Sequence, residues 1–251
     1  MYNIMHNSKS GMLSSQSNID LISNNITNSQ TVGYKKLDAN FLDLYQESLH
    51  KNSYPTNSTS VRTGTGSRIS QATRNYEQGA IKETKINTNL AIDGDGFFRV
   101  MRSDGSYAYT RNGEFNLDST GKLVDDKGNI LDIQPLNGNG KNIDLKNGDL
   151  SIHKNGEIYL DNNKVGVINL YQPKGDADFV SVGDNLFTAK PTNVEAVQNK
   201  SILQGHVEMS NVNMQDEMVN LIMAQRSFQY NSKGIQVGDD MWSMVNNLQS
   251  R

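Results

Sequence analysis

The sequence predicts an α+β protein. Long N- and C-terminal helices form a coiled-coil-like domain, and a central antiparallel all-β domain is inserted between them. Three observations carry this. Apolar residues recur at steps of seven at both ends of the chain. The middle is made of short alternating runs cut by Gly-containing dipeptides. The methionines gather at or beside the two ends, and Met101 alone lies in the β region. The boundaries read as 1–45 together with 201–251 for the helical domain, 46–74 for an extended linker or insertion, and 75–200 for the β domain.

The N-terminal helix rests on Met5, Met12, Ile19 and Ile26, one heptad apart, with Ile22 three residues after Ile19. Ile4, Leu13 and Leu21 widen this seam. The positions between are Ser, Asn, Lys, Gln and Asp. Ser and Asn are weak helix formers, so this helix needs a packing partner. Asn24, Asn25, Asn28 and Gly33 are stop and turn signals.

Residues 46–74 are polar and read as an extended linker. From Asn75 the pattern becomes β. "FFRVMRSDGSYAYTRNGEFNLDSTGKLVDDKGNILDI" holds strand-like pieces separated by Asp-Gly, Asn-Gly, Thr-Gly and Lys-Gly, which are hairpin signals. About a dozen short strands are expected.

The C-terminal helix is expected from Asn213 to Gln249, about 55 Å at 1.5 Å per residue. Met214, Leu221, Phe228, Ile235 and Trp242 lie seven apart, and Met218, Ile222, Val245 and Leu248 broaden the stripe. Asn211 or Asn213 suits the N-cap, with Asp216 and Glu217 in the first turn. Gly11, Gly234 and Gly238 lie inside the two helices, each costing about 1 kcal/mol relative to Ala. Close approach of a partner helix is one reading of these glycines, and tolerated sequence drift is the other.

Composition removes several classes of function. A chain of 251 residues with net charge −3 and scattered Lys and Arg has no nucleic-acid footprint. The absence of cysteine excludes disulfides, thiolate metal sites and Cys nucleophiles. Mean hydropathy is −0.63, and no run approaches the ~20 apolar residues of a membrane span. The N-terminus lacks the apolar core of a cleaved signal peptide. Asn makes up about one residue in eight, well above ordinary usage, which favours turns and many short elements.

Chemical motifs are weak. "GTGSRI", residues 64–69, lacks the third glycine and the strand–helix frame of a dinucleotide loop, and reads as a flexible or close-packed loop. "DGDG", residues 93–96, lacks the remaining ligands of a calcium loop and reads as a tight turn. His6, His50, His153 and His206 have no ligand spacing. Arg111, in "YTRNGEF", stands between aromatics and more readily makes a cross-strand contact than a ligand stack. No catalytic residues, cofactors, metal sites or small-molecule substrate are expected.

"SGMLSSQSNIDLISNNITNSQTVGYKK" resembles the N-terminal signature of the bacterial flagellar axial proteins of rod, hook and hook junction. Ser10, Gly11, Met12, Ile19, Asp20, Asn24, Asn25, Ile26, Asn28, Thr31, Gly33, Tyr34 and Lys35 carry the match. Ser23 and Thr27 stand where Ala is usual. "GHVEMSNVNMQDEMVNLIMAQRSFQYNSKGIQVGDDM" is similar to the closing helix of that family. "GTGSR", "EQGAIKET", "AIDGDGFFRV" and "YTRNGEFNLDSTGKLV" are similar to its distal-rod members.

The resemblance implies a structural, non-enzymatic subunit of the basal body. Such a subunit is exported through the flagellar type III apparatus without a cleaved signal peptide. It polymerises with copies of itself into a helical tube that transmits torque from motor to hook. The implied neighbours are other rod, hook and ring proteins. Terminal helices would line the tube, and residues 46–75 would stiffen it. The expected assembly interface is Met5, Met12, Ile19, Ile22, Ile26, Met214, Met218, Leu221, Phe228, Ile235, Trp242 and Val245. A proximal-rod or hook-like paralogue is an alternative within the family. A β-rich ligand-binding or adhesin module on a coiled-coil stalk is the alternative of another class, and it would form closed oligomers.

Overall fold

The computed structural model describes residues 2–44, 46–48, 62–135, 148–161, 163–174 and 179–249. The chain forms two compact units. One comprises 1–28, 36–76 and 212–251; the other comprises 29–35 and 77–211.

The first unit holds helix α1, Tyr2–Thr27, and helix α2, Met214–Gln249. They pack antiparallel: Met5 lies at Gly238, Ser8 at Gly234, Gly11 at Asn231 and Asn25 at Glu217. α1 ends where Asn28 donates its backbone N–H and its side-chain amide to the Asn24 carbonyl, at 3.1 and 2.9 Å. α2 starts on an Asn213 cap, whose side-chain oxygen accepts from the Gln215 N–H at 3.0 Å.

Between the helices in sequence, the chain is not the extended linker the composition suggests. Strand Leu37–Asp38 pairs with Thr73–Arg74, Phe41–Asp43 with Ser67–Ile69, and Gln46–Ser48 with Arg62–Gly64, all antiparallel. The result is a ribbon that doubles back and docks on α1. Ser10 Oγ donates to the Ser67 carbonyl at 2.5 Å and accepts from the Ser67 N–H at 3.1 Å. Gly66 sits so close to Ser10 that a Cβ there would lie 2.6 Å from the hydroxyl. "GTGSRI" is therefore a close-packed turn. A polar pattern misled the linker reading because a two-stranded ribbon satisfies its backbone by pairing and needs little apolar content. Residues 49–61, the middle of the expected linker, lie outside the described residues.

The second unit is antiparallel β. Its larger sheet runs Asn116–Leu117, Leu123–Val124, Ile130–Leu131, Phe97–Met101, Tyr107–Thr110, Leu186–Thr188, Val180–Gly183. Strand Leu170–Pro173 joins the free edge of Phe97–Met101 at Phe97 and Phe98, and pairs also with Val194–Ala196. A four-stranded sheet runs Ile133–Pro135, Asn163–Ile168, Glu157–Leu160, Leu150–Ile152. Leu90, Ile92, Phe98, Val100, Phe115, Leu123, Ile158, Ile168, Leu170 and Ile202 fill the core between them.

The expected hairpin turns form at Gly105, Gly121, Gly128 and Gly156. Asn112-Gly113 does not make one: Asn116–Leu117 pairs with Leu123–Val124, not with Tyr107–Thr110. Gly113 is instead required by packing, since a Cβ there would meet the Leu90 carbonyl oxygen at 1.6 Å.

Candidate assembly site

The helix pair sorts the predicted interface residues into two groups. Met5, Met12, Ile19, Ile26, Met214, Leu221, Phe228, Ile235 and Trp242 are half-buried. Ile22 is buried, and so are Ser14, Ser15, Asn25, Glu217 and Ala224. Apart from Ile22, the deepest layer of the pair is thus small or polar, flanked by the large apolar side chains.

The sequence reading passed over this second series. Glu217, Ala224, Asn231 and Gly238 follow Met214, Leu221, Phe228 and Ile235 by three residues, and they too are seven apart. Ser8, Ser15 and Ile22 do the same in α1. The glycines were the available signal. A Cβ on Gly11 would lie 2.8 Å from the Asn231 side chain, and one on Gly238 would lie 2.9 Å from Met5. The helices approach closely where these positions carry little or no side chain.

Met218 and Val245 do not join this seam; they are 52% and 41% exposed. Met218 lies one turn past Met214, on the flank turned away from α1. Val245 holds a seam position, but α1 begins at Tyr2 and Met5 is already opposite Gly238, so Val245 lies beyond the end of the pair. Ile222 and Leu248 are exposed as well. A further stripe runs along α2: Met223, Tyr230, Val237 and Met244, again seven apart, each more than half exposed. In the same unit the ribbon exposes Phe41, Leu42 and Leu44. Among the described residues the α2 stripe stays exposed, and Met223 at its N-terminal end borders the groove that α2 shares with α1 and the ribbon.

The motif residues that end α1 have separate tasks. Asn25 brackets Leu37: its amide N–H donates to the Leu37 carbonyl at 2.9 Å, and its oxygen accepts from the Leu37 N–H at 3.0 Å. The same amide reaches Glu217 at 3.3 Å. Asn25→Ala leaves buried backbone groups unpaired and is expected to cost about 2–3 kcal/mol. Urea unfolding of the full chain measures it; a loss below about 0.5 kcal/mol would contradict the bracket.

Thr31, Gly33, Tyr34 and Lys35 belong to the second unit. The Thr31 carbonyl accepts from the Tyr34 N–H at 3.4 Å. Gly33 has φ +67°, and a Cβ there would lie 2.5 Å from the Asn112 nitrogen. Tyr34 is buried. Lys35 is 1% exposed; its ammonium donates to Glu208 Oε1 and to the Glu77 carbonyl, both at 2.6 Å. Glu208 Oε1 also accepts from the Gly79 N–H at 2.9 Å, while Oε2 accepts from Arg111 at 2.9 Å. Arg111 stacks over the Phe97 ring at 5.1 Å and donates to the Gly94 carbonyl at 2.9 Å. Burial pushes the Lys35 ammonium below the ordinary lysine range, against the pull of the Glu208 carboxylate. Arg111 is thus a structural cation rather than a ligand stack, and the 93–96 turn is one wall of its site.

Among the described residues no group of His, Cys, Asp and Glu could hold a metal ion, and no helix is long and apolar enough to cross a membrane.

The chain is similar to known proteins along nearly its whole length. Residues 91–160 match the family described as flagellar hook protein FlgE/F/G D1 domain, and residues 203–248 match the flagellar basal body rod FlgEFG protein C-terminal family. The flagellar basal-body rod protein FlgG of Borreliella burgdorferi is 34% identical over 258 residues, covering 95% of this chain and 96% of that protein. FlgG of Bacillus subtilis is 33% identical over 270 residues, covering 99% of each. The flagellar hook-basal body complex protein FlhP of Bacillus subtilis is 31% identical over 254 residues, covering 93% of this chain and 94% of that protein. With a buried Gly33–Lys35 segment, a close-packed terminal helix pair and likeness along nearly its whole length, the chain belongs to the flagellar basal-body rod protein family.

Proposed function

We propose that the chain is a structural subunit of the distal rod, located in the flagellar basal body and not an enzyme. Copies stack through the terminal helices into a tube that carries torque from motor to hook, next to other rod and hook proteins. The observation that carries this reading is the second apolar stripe of α2, Met223, Tyr230, Val237 and Met244, on a helix whose other face α1 already fills. One face per partner on an otherwise polar helix fits a coiled-coil-like layer in which each α2 contacts α1 of its own chain and a helix of the next. Contact between two different surfaces that does not close on itself builds a filament. Family membership supports the rod assignment, and the FlgG relatives support its distal part. The predicted set is revised accordingly. Met5, Met12, Ile19, Ile22, Ile26, Met214, Leu221, Phe228, Ile235 and Trp242 hold the subunit's own helix pair. Met218 and Val245, exposed and outside both the pair and the Met223–Met244 stripe, are further contacts between subunits in this reading. Export through the type III apparatus, without a cleaved signal, belongs to the same reading.

Sedimentation at rising protein concentration tests it, together with electron microscopy. Continuous growth into tubes is expected, and growth should stop when Met223 and Tyr230 are changed together to Asn. A closed dimer or trimer that grows no further would contradict the rod reading and favour a stalked module.

A further inference from the structure

The 29–35 stem crosses the second unit without joining either large sheet, yet its last three residues, Gly33, Tyr34 and Lys35, are buried. Contacts to Glu208, Asn185 and Asn211 tie it in, beside the bond from Lys35 to the Glu77 carbonyl. The Gly33 N–H donates to the Glu208 carbonyl at 2.8 Å. The Asn185 amide donates to the Val32 carbonyl at 3.1 Å. The Asn211 N–H donates to the Tyr34 carbonyl at 3.4 Å. The Lys35 ammonium binds Glu208. Asn211, two residues before the α2 cap, also donates its side-chain amide to the Glu77 carbonyl at 3.1 Å, the carbonyl that Lys35 reaches. The chain leaving α1 and the chain entering α2 are therefore tied at one carbonyl, that of Glu77.

The charges at that point do not balance locally. Glu208, at 1% exposure, stands between two buried cations, Lys35 at 1% and Arg111 at 3%. Asp95, on the exposed turn, adds a weaker attraction for Lys35. Arg111 Nε has no hydrogen-bond partner among the described residues. Without the Glu208 charge, two cations would face each other out of water, which no protein site tolerates cheaply. Their means of escape differ. Arg111 follows directly on strand Tyr107–Thr110, stacks on Phe97 and bonds to Gly94, so it stays. Lys35 sits on a stem that forms no strand, so its charge has a way to water with the stem.

We propose that Lys35, Glu208 and Arg111 form a latch with Glu208 as its keystone. Loss of the Glu208 charge opens the 29–35 stem as a local unit, loosens the approach to α2 through Asn211, and leaves both sheets folded. This holds for the single chain and does not depend on the rod reading.

Hydrogen exchange on the full-length chain tests it, with the Gly33 and Asn211 amides as reporters of the stem and the Phe98 and Val100 segment as reporter of the sheet. Glu208→Gln should speed exchange at Gly33 and Asn211 by about 100-fold or more, with the Phe98–Val100 segment unchanged. Adding Lys35→Met to Glu208→Gln removes the cation that drives opening and should restore most of the protection. Lys35→Met alone keeps the Glu208–Arg111 pair and should exchange within about tenfold of the parent. Uniform acceleration across stem and sheet in Glu208→Gln, or failure of Lys35→Met to restore the stem, would overturn the latch. If Glu208→Gln does not fold, the single Lys35→Met chain decides: exchange at Gly33 more than about tenfold faster than the parent makes Lys35 a simple anchor and overturns the proposal.

Discussion

Phe98→Ala is expected to destabilise the β unit by about 3–5 kcal/mol, the range for deleting a fully buried phenylalanine where the site cannot collapse. Phe98 has no exposed surface. It packs edge-to-face on Phe115, with ring centroids 5.6 Å apart at 86°. Its backbone is paired on both sides, with Thr110 and with Leu170, so neither neighbouring strand is free to move into the cavity. Leu90, Val100 and Ile168 belong to the same buried cluster. Urea unfolding of the full chain should show the midpoint falling with an unchanged slope. A loss below about 1 kcal/mol would mean that the core is centred elsewhere.

Gly33→Val is expected to cost at least about 3 kcal/mol, from two effects that act together. The left-handed backbone at φ +67° penalises any Cβ, and a β-branched one most. The new side chain would also enter the space held by the Arg111–Asn112 backbone, 2.5–2.8 Å away, and backbone there cannot yield as a side-chain end would. The stem cannot seat, so the buried Lys35 loses its place on Glu208. Limited proteolysis should cut the 29–35 stem in the variant while the sheets resist. A variant as resistant as the parent would show that the stem tolerates a different backbone. Gly33→Asn, the side chain best suited to a left-handed residue, should be milder than Val but still impaired by the clash.

Much of the fold was legible because its signals are local. Heptad steps marked α1 and α2, Asn213 marked the start of α2, and Asp-Gly, Thr-Gly and Lys-Gly marked the turns at Gly105, Gly121 and Gly128. What the sequence hid is set by distant partners. Lys35 and Glu208 are far apart in the chain, and nothing beside either residue announces that both are buried. The hairpin turn at Asp184-Asn185, φ 51° and 56°, has its glycine just before the turn rather than in it; nothing local announces that Asn185 then binds the stem. The described strands at 46–48 and 62–74 read as polar because pairing, not burial, stabilises them. On α2 the seam and the stripe of Met223 and Tyr230 share a seven-residue period. Periodicity alone shows that both faces exist. Only the close approach of Gly11, Gly234 and Gly238 shows which face α1 takes.

The most direct measurement is a helical reconstruction of the assembled chain, resolved to side chains. The account predicts α1 and α2 paired within one subunit through Ala224, Asn231 and Gly238, and Met223, Tyr230, Val237 and Met244 within about 4.5 Å of a neighbouring subunit. Those four side chains facing solvent in the tube, with the contacts between subunits made by the β unit instead, would contradict it.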